Sequence, residues 1–281
     1  MQNTISFLQK QGGERVEDHT EIEQELINYF QDVLQEPQID RSRAIEKITQ
    51  HVPKVITEDH NQLLLRPVLP EEVDLAMKQL KEGKAPGPDG FSTTFFHSFW
   101  ELIREEVWQV VEESRSLHWL LPALNSTFIA LIPKEEGATT PEKYRPIALC
   151  NVIYKVISKV IANRLKPLLP LLISPEQAGY VEGRQIMDGI ILTHEIIHSL
   201  KISNQVGMIL KIDLFKAFDK LSWTYIQKNL NAFGFSPMWV RWVHSLISTF
   251  FSILINGIPS RPLAPPEESD KGILFLPSFL F

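Results

Sequence analysis

The chain reads as a mixed helix-and-strand protein, α/β or α+β, on three observations. Apolar residues recur at helical spacing over several long stretches, two short runs rich in β-branched and aromatic residues read as strands, and the two kinds of segment alternate along the chain. With 281 residues at 44% hydrophobic, there is enough apolar material for one large core or two modest ones.

The elements follow in order. Ile22, Leu26, Tyr29, Phe30 and Val33 mark a helical lead-in, ended by the polar stretch 35–43. Pro70, Glu71 and Glu72 start a second helix, in which Val73, Ala76, Met77 and Leu80 share a face; it closes at Gly83. KAPGPDG, residues 84–90, carries two prolines and two glycines and must be a rigid turn. An aromatic cluster follows it at Phe91, Phe95, Phe96, Phe99 and Trp100. Residues 125–133, NSTFIALIP, read as a buried strand closed by proline.

Residues 134–166 change the charge balance. Lys134, Lys143, Arg145, Lys155, Lys159, Arg164 and Lys166 stand against Glu135, Glu136 and Glu142, a local basic patch. Ile153, Val156, Ile157, Val160 and Ile161 form one face of a helix there, while Lys155 and Lys159 lie a turn apart on another. Ser174 with Pro175 and Gln177 has the form of a helix start, and a helix is expected over 185–200. GMILKIDL, residues 207–214, alternates Met208, Leu210 and Ile212 with Ile209, Lys211 and Asp213, as a strand ending in a carboxylate would. Ser222 and Ser236 cap two further helices, the second with Pro237 in its first turn. FFSILINGIP, residues 250–259, reads as a strand entering an Asn256-Gly257 hairpin turn.

Composition narrows the function. Twenty-eight Lys and Arg against 34 Asp and Glu give a net charge of −6, which excludes a wholly basic nucleic-acid wrapper and leaves room for a local basic groove. One cysteine, Cys150, forms neither an intramolecular disulfide nor a thiolate metal site. The first 30 residues lack a leader pattern and no uncharged apolar run nears 18 residues, so a nuclear or cytoplasmic protein without a membrane span is expected.

Two constellations carry chemistry. A strand-end carboxylate such as Asp213 suits a hard divalent cation, which takes one or two carboxylates together with substrate phosphates. His194, Glu195 and His198 spell HEIIH, the helical pattern of zinc hydrolases, but SLKISN follows and supplies no third ligand.

Taken together, KAPGPDG, LIPK, YRPIALCN with KVISKVIANRL, QAGYVEGRQIMDG, KIDLFKAFDKLSW and SILING stand in an order that resembles the reverse transcriptases of non-LTR, LINE-type retrotransposons, especially those of plants. The resemblance covers about residues 20–258. It implies an α+β fold with the fingers and a partial palm of a right-hand polymerase, helix-rich with a small, mostly antiparallel sheet. In those terms residues 1–65 are a helical N-terminal extension, 66–205 the fingers, 206–260 the first half of the palm and 261–281 a tail outside the pattern. It further implies RNA-directed DNA synthesis with Mg²⁺ on Asp213, an RNA template, a DNA primer and dNTPs as partners, and no membrane. Arg145 and Lys134 would grip the triphosphate, Phe218 would exclude a ribose 2′-hydroxyl, and Gln177, Gly183 and Arg184 would lie near the template. Oligomeric state is not readable.

The end of the chain departs from the pattern. A working palm of this family needs a second carboxylate pair, the YxDD-type turn, downstream of a RQGDPLSP segment, and residues 258–281 contain neither. Written in ordinary codons and read one base out of frame, the family segment RGIRQGDPLSPF yields EESDKGILFLPS, which is residues 267–278. A frameshift between about Asn256 and Glu267 is therefore expected, with an unpaired strand edge, poor solubility and no polymerase activity. The alternatives are a non-catalytic remnant that grips phosphates through residues 134–166, and a zinc hydrolase on His194 and His198.

Overall fold

A computed structural model describes residues 4–10, 12–34, 40–179, 181–213 and 221–263. A two-stranded hairpin, β1 (Leu8–Gln9) and β2 (Arg15–Val16), leads into α1 (His19–Leu34). Then come α2 (Ser42–Thr49), α3 (Glu58–Leu65), α4 (Pro70–Gln79), α5 (Thr93–Ser98) and α6 (Trp100–Leu117), followed by β3 (Ser126–Pro133) and β4 (Tyr144–Cys150). The chain continues through α7 (Val152–Leu165), α8 (Leu169–Leu172), α9 (Ile186–Ile202), α10 (Trp223–Phe233) and α11 (Pro237–Ile247), and reaches β5 (Phe250–Ile255) and β6 (Ile258–Pro259). The class is α+β.

Local chemistry sets the boundaries. The Asp18 carboxylate accepts the N–H groups of Thr20 and Glu21 at the mouth of α1. Pro70 opens α4, where Glu72 turns back to accept the Leu69 N–H at 3.0 Å. Ser222 and Ser236 cap α10 and α11 as expected, accepting from Tyr225 and Met238. Helix α10 ends at Gly234, whose φ of +99° and close approach to the Ile56 carbonyl both require glycine. Asn256 and Gly257, with φ of 54° and 87°, make the tight hairpin turn between β5 and β6.

The sheet order is β4-β3-β5-β6: β3 pairs antiparallel with β4 and parallel with β5, and β6 returns antiparallel on β5. One face carries Ile129, Leu131, Ile253 and Ile255 and is covered by Ile22, Leu26, Ile27 and Phe30 of α1. A second core joins α4, α6, α7 and α11 around Val73, Met77, Val111, Ile157, Trp239 and Trp242. The second core draws side chains from both sides of residue 206, and the sheet does the same: β5, from the stretch expected to begin the palm, sits beside β3 from the stretch expected to be fingers.

Two expected elements are corrected. No helix starts at Ser174. The Arg184 guanidinium takes the carbonyls of Ile173, Ser174 and Gln177, and an α-helix would need the last two for its own hydrogen bonds. Residues 207–213 form no strand: none pairs with another described strand, and Met208, Ile209, Leu210 and Ile212 lie in water. Alternation alone does not hold a strand whose N–H and C=O groups find no neighbour.

Candidate functional site

The β3–β4 hairpin presents two of the expected site residues. Arg145 faces Ile132 across the register, and strand alternation puts both on the sheet face turned away from α1, where they are exposed. Among the described residues the Arg145 guanidinium has neither a hydrogen-bond partner nor an ion-pair partner. Lys134 is tied back into the hairpin: its backbone N–H donates to the Lys143 carbonyl at 2.8 Å and its ammonium to the Glu142 carbonyl. Of the pair, Arg145 is the group free to take a phosphate.

The rest of the basic patch is largely compensated. Lys143 pairs with Glu135 at 2.7 Å, and that hydrogen bond and charge hold the Glu135 carboxyl below the usual carboxylate range. Lys166 pairs with Glu182 at 3.3 Å. Arg164 is buried against Glu72 at 2.8 Å and also donates to the carbonyls of Leu64, Arg66 and Pro67, binding α4 to α7. Lys155 and Lys159 are half-buried. Burial pulls the Lys155 ammonium below the ordinary lysine range, against the opposing pull of Cys150 and Asp89.

The 84–90 turn is packed, as its composition predicts. Gly87 lies so closely against the β4–α7 joint that an added Cβ would overlap the backbone nitrogen of Asn151. The buried Asn151 side chain accepts the Asp89 N–H at 3.2 Å and donates to the carbonyls of Ala123 and Leu124. Asn125 acts likewise at the base of β3, donating to the carbonyls of Ser245 and Ser248 and accepting from the Thr249 hydroxyl. These two asparagines lock the bases of β3, β4 and β5. Sequence reading missed them, since an isolated Asn beside a strand carries no pattern.

Asp213 is exposed and stands in irregular chain. Gln177 is exposed in the turn that Arg184 pins, where Gly183 has a φ of +80°. Arg184 thus closes its own loop, with its two terminal guanidinium nitrogens donating to three carbonyls. Phe218 and Asp219 lie outside the described residues, as does the expected tail from residue 264 onward. His194 and His198 sit on the exposed surface of α9.

A metal would have to rest on carboxylates. Among the described residues no group of three His, Cys, Asp or Glu side chains could hold an ion, so neither Asp213 nor HEIIH gathers a full ligand set there. Three clefts of about 330, 720 and 200 Å³ open elsewhere, against Arg164, Asn61 and Tyr29, and none is lined by an expected site residue. No helix of the described residues is long and apolar enough to cross a membrane.

Residues 132–264 match the family described as reverse transcriptase (RNA-dependent DNA polymerase). The chain is similar to the uncharacterized 149 kDa protein of transposon TX1 from Xenopus laevis, 27% identical over 261 residues, 92% of this chain and 20% of that protein. It is similar to the Pol polyprotein of the type-1 retrotransposable element R2 of Popillia japonica, 26% identical over 173 residues, 60% of this chain and 23% of the relative. The corresponding polyprotein of element R1 of Bradysia coprophila is 26% identical over 175 residues, 59% and 17% of the two chains. The chain thus spans about a fifth of the length of these relatives.

Proposed function

We propose that the chain belongs to the reverse transcriptases of non-LTR, LINE-type retrotransposons and is a piece of an RNA-directed DNA polymerase that binds a primed RNA template and, by itself, does not extend it. The observation that carries the reading is the run of ordered motifs inside the matched residues 132–264, with Arg145 displayed on the open sheet face and unclaimed by any described carboxylate. An exposed guanidinium on a rigid strand suits a triphosphate, because its planar fork donates to two oxygens at once. Fingers over 66–205, a first half of the palm over 206–260, dNTP selection by Phe218, template contacts by Gln177, Gly183 and Arg184, and a nuclear or cytoplasmic site belong to this proposal. Arg184 would contribute to the template by shaping its loop.

Reverse transcriptases are generally metal-dependent. Magnesium is the proposed ion, and Asp213 the residue that would hold it here. A single proposed ligand favours the reading of a nucleic-acid-binding remnant for the chain on its own.

The test is a pair of measurements on the purified 281-residue chain. Binding to a primed RNA template that weakens as salt rises, without incorporation of labelled dNTP, is the expected result. Failure to bind at low salt overturns the nucleic-acid reading. Incorporation that is lost on Asp213→Ala overturns the inactive half of the proposal and keeps the enzyme.

A further inference from the structure

The aromatic residues after the 84–90 turn make a surface that the polymerase reading does not use. Phe91, Phe95 and Phe99 form a ladder of rings with centroids 4.7 and 5.0 Å apart and planes tilted by 40° and 43°. All three are exposed, the outer two by 48% and 49% and the middle one by 37%. An isolated exposed phenylalanine is ordinary; three stacked in water on one short segment are not.

The ladder is held rigidly from below. Phe96 is buried and meets Phe95 edge-on at 5.8 Å. Trp100 donates its indole N–H to Asp74 at 2.8 Å, and the His97 ring donates to the Leu80 carbonyl at 2.9 Å, so the C-terminal end of the segment is fixed to α4 and the residue that follows it. Each outer ring packs against Phe95, which lowers the side-chain ordering left to oppose the binding of a flat partner.

Charge lies beside the rings. The Thr93 hydroxyl donates to the Lys81 carbonyl at 3.0 Å and the Thr94 hydroxyl accepts the Gly83 N–H at 3.2 Å, which lays the 81–84 turn along α5. Lys81 and Lys84 are exposed in that turn; Glu82 stands between them, the Asp89 carboxylate accepts the Phe91 N–H at 3.0 Å, and Glu101 beyond Phe99 faces Arg104 at 3.7 Å. Ring faces for bases with cations for phosphates is how proteins take single-stranded nucleic acid without reading its sequence.

We propose that Phe91 and Phe99 are a stacking platform for unpaired bases of single-stranded RNA, with Phe95 holding the two rings apart and Lys81 and Lys84 meeting the phosphates. The inference rests on the RNA-binding reading above and adds a second contact surface to it, away from Arg145. An apolar protein partner would use the same rings without needing their π faces or the lysines.

The experiment is fluorescence anisotropy of the full chain with a labelled oligoadenylate and with an abasic oligomer of the same length. Phe91→Leu and Phe99→Leu keep apolar area and remove the ring, and a circular dichroism melt verifies that each variant folds. The expected result is tighter binding to the oligoadenylate than to the abasic strand, a loss of roughly 5- to 100-fold in each leucine variant on the oligoadenylate alone, and rescue in Phe99→Tyr. Lys84→Gln should weaken both strands and lower the salt slope. Equal affinity for the two strands, or leucine variants that bind like the parent, overturns the platform. If Arg145→Gln then still weakens binding, the reading under Proposed function survives that failure. Leucine variants that alter only self-association in sedimentation would assign the rings to a protein interface and also overturn it.

Discussion

Arg164 and Arg184 look alike as sequence and do different work, because each guanidinium is committed by what surrounds it. Arg164 is the better buried and serves acceptors from α4 and the 64–67 segment. Arg164→Met should lower stability by about 2–4 kcal/mol, read as a fall in urea midpoint, since Glu72 is left with the exposed Arg66 at 3.6 Å. Two glycines of the 84–90 turn separate crowding from backbone strain. Gly87→Ala should cost about 1–3 kcal/mol through overlap with Asn151. Gly90→Ala meets open space and should cost about 1 kcal/mol through its φ of +78° alone. A side-by-side denaturant titration distinguishes the two causes.

Histidines set the acid limb of stability. Burial holds the imidazoles of His118 and His244 below the ordinary histidine value of 6.5. A folded-state value below the unfolded one means that the unfolded chain binds the proton first, so stability is full above about pH 6.5 and declines as the pH falls toward the lowered values. Thermal melts from about pH 7.5 to about pH 5 should show that decline. His244→Gln, which removes the group packed edge-on against Trp223 at 5.4 Å, should make it shallower.

At the scale of elements, the contrast is between β3 and residues 206–213. Strand β3 has partners on both edges, and Ile129 and Ile253 are fully buried in it and its neighbour. Residues 206–213 have the better alternating pattern and no partner strand among the described residues, and Val206, Met208 and Leu210 are 101%, 93% and 76% exposed. Amide exchange should find residues 207–213 at the rate of unstructured peptide and β3 among the slowest in the chain. The exposed apolar run should also self-associate. Replacing Leu210 and Ile212 by lysine should reduce the sedimenting aggregate without lowering the melting temperature, because neither residue is packed. Helix α9, which precedes it in the chain, has no buried residue despite its many isoleucines.

For the whole molecule, a net charge of −6 and a basic patch in which Lys143, Arg164 and Lys166 are already paired mean that RNA affinity must come from few contacts. Its integrity rests on the larger core. Trp239 and Trp242 of α11 are fully buried and meet edge-to-face at 5.6 Å, so Trp239→Ala should cost about 3–5 kcal/mol and broaden the melt of the entire chain. Much of this was legible from residue order: the capped helices α10 and α11, β3, the β5–β6 turn, the packed 84–90 turn and the family motifs all depend on neighbours within a few positions. What the residue order could not decide was pairing at a distance. The same alternation gave a strand at β3 and open chain at 207–213, the same basic side chain became a free arm at 145 and a buried clamp at 164, and β5 came to lie beside β3. Hydrogen bonds and charges are satisfied by whichever group arrives in space, and only the packed tertiary structure brings groups about a hundred residues apart into contact.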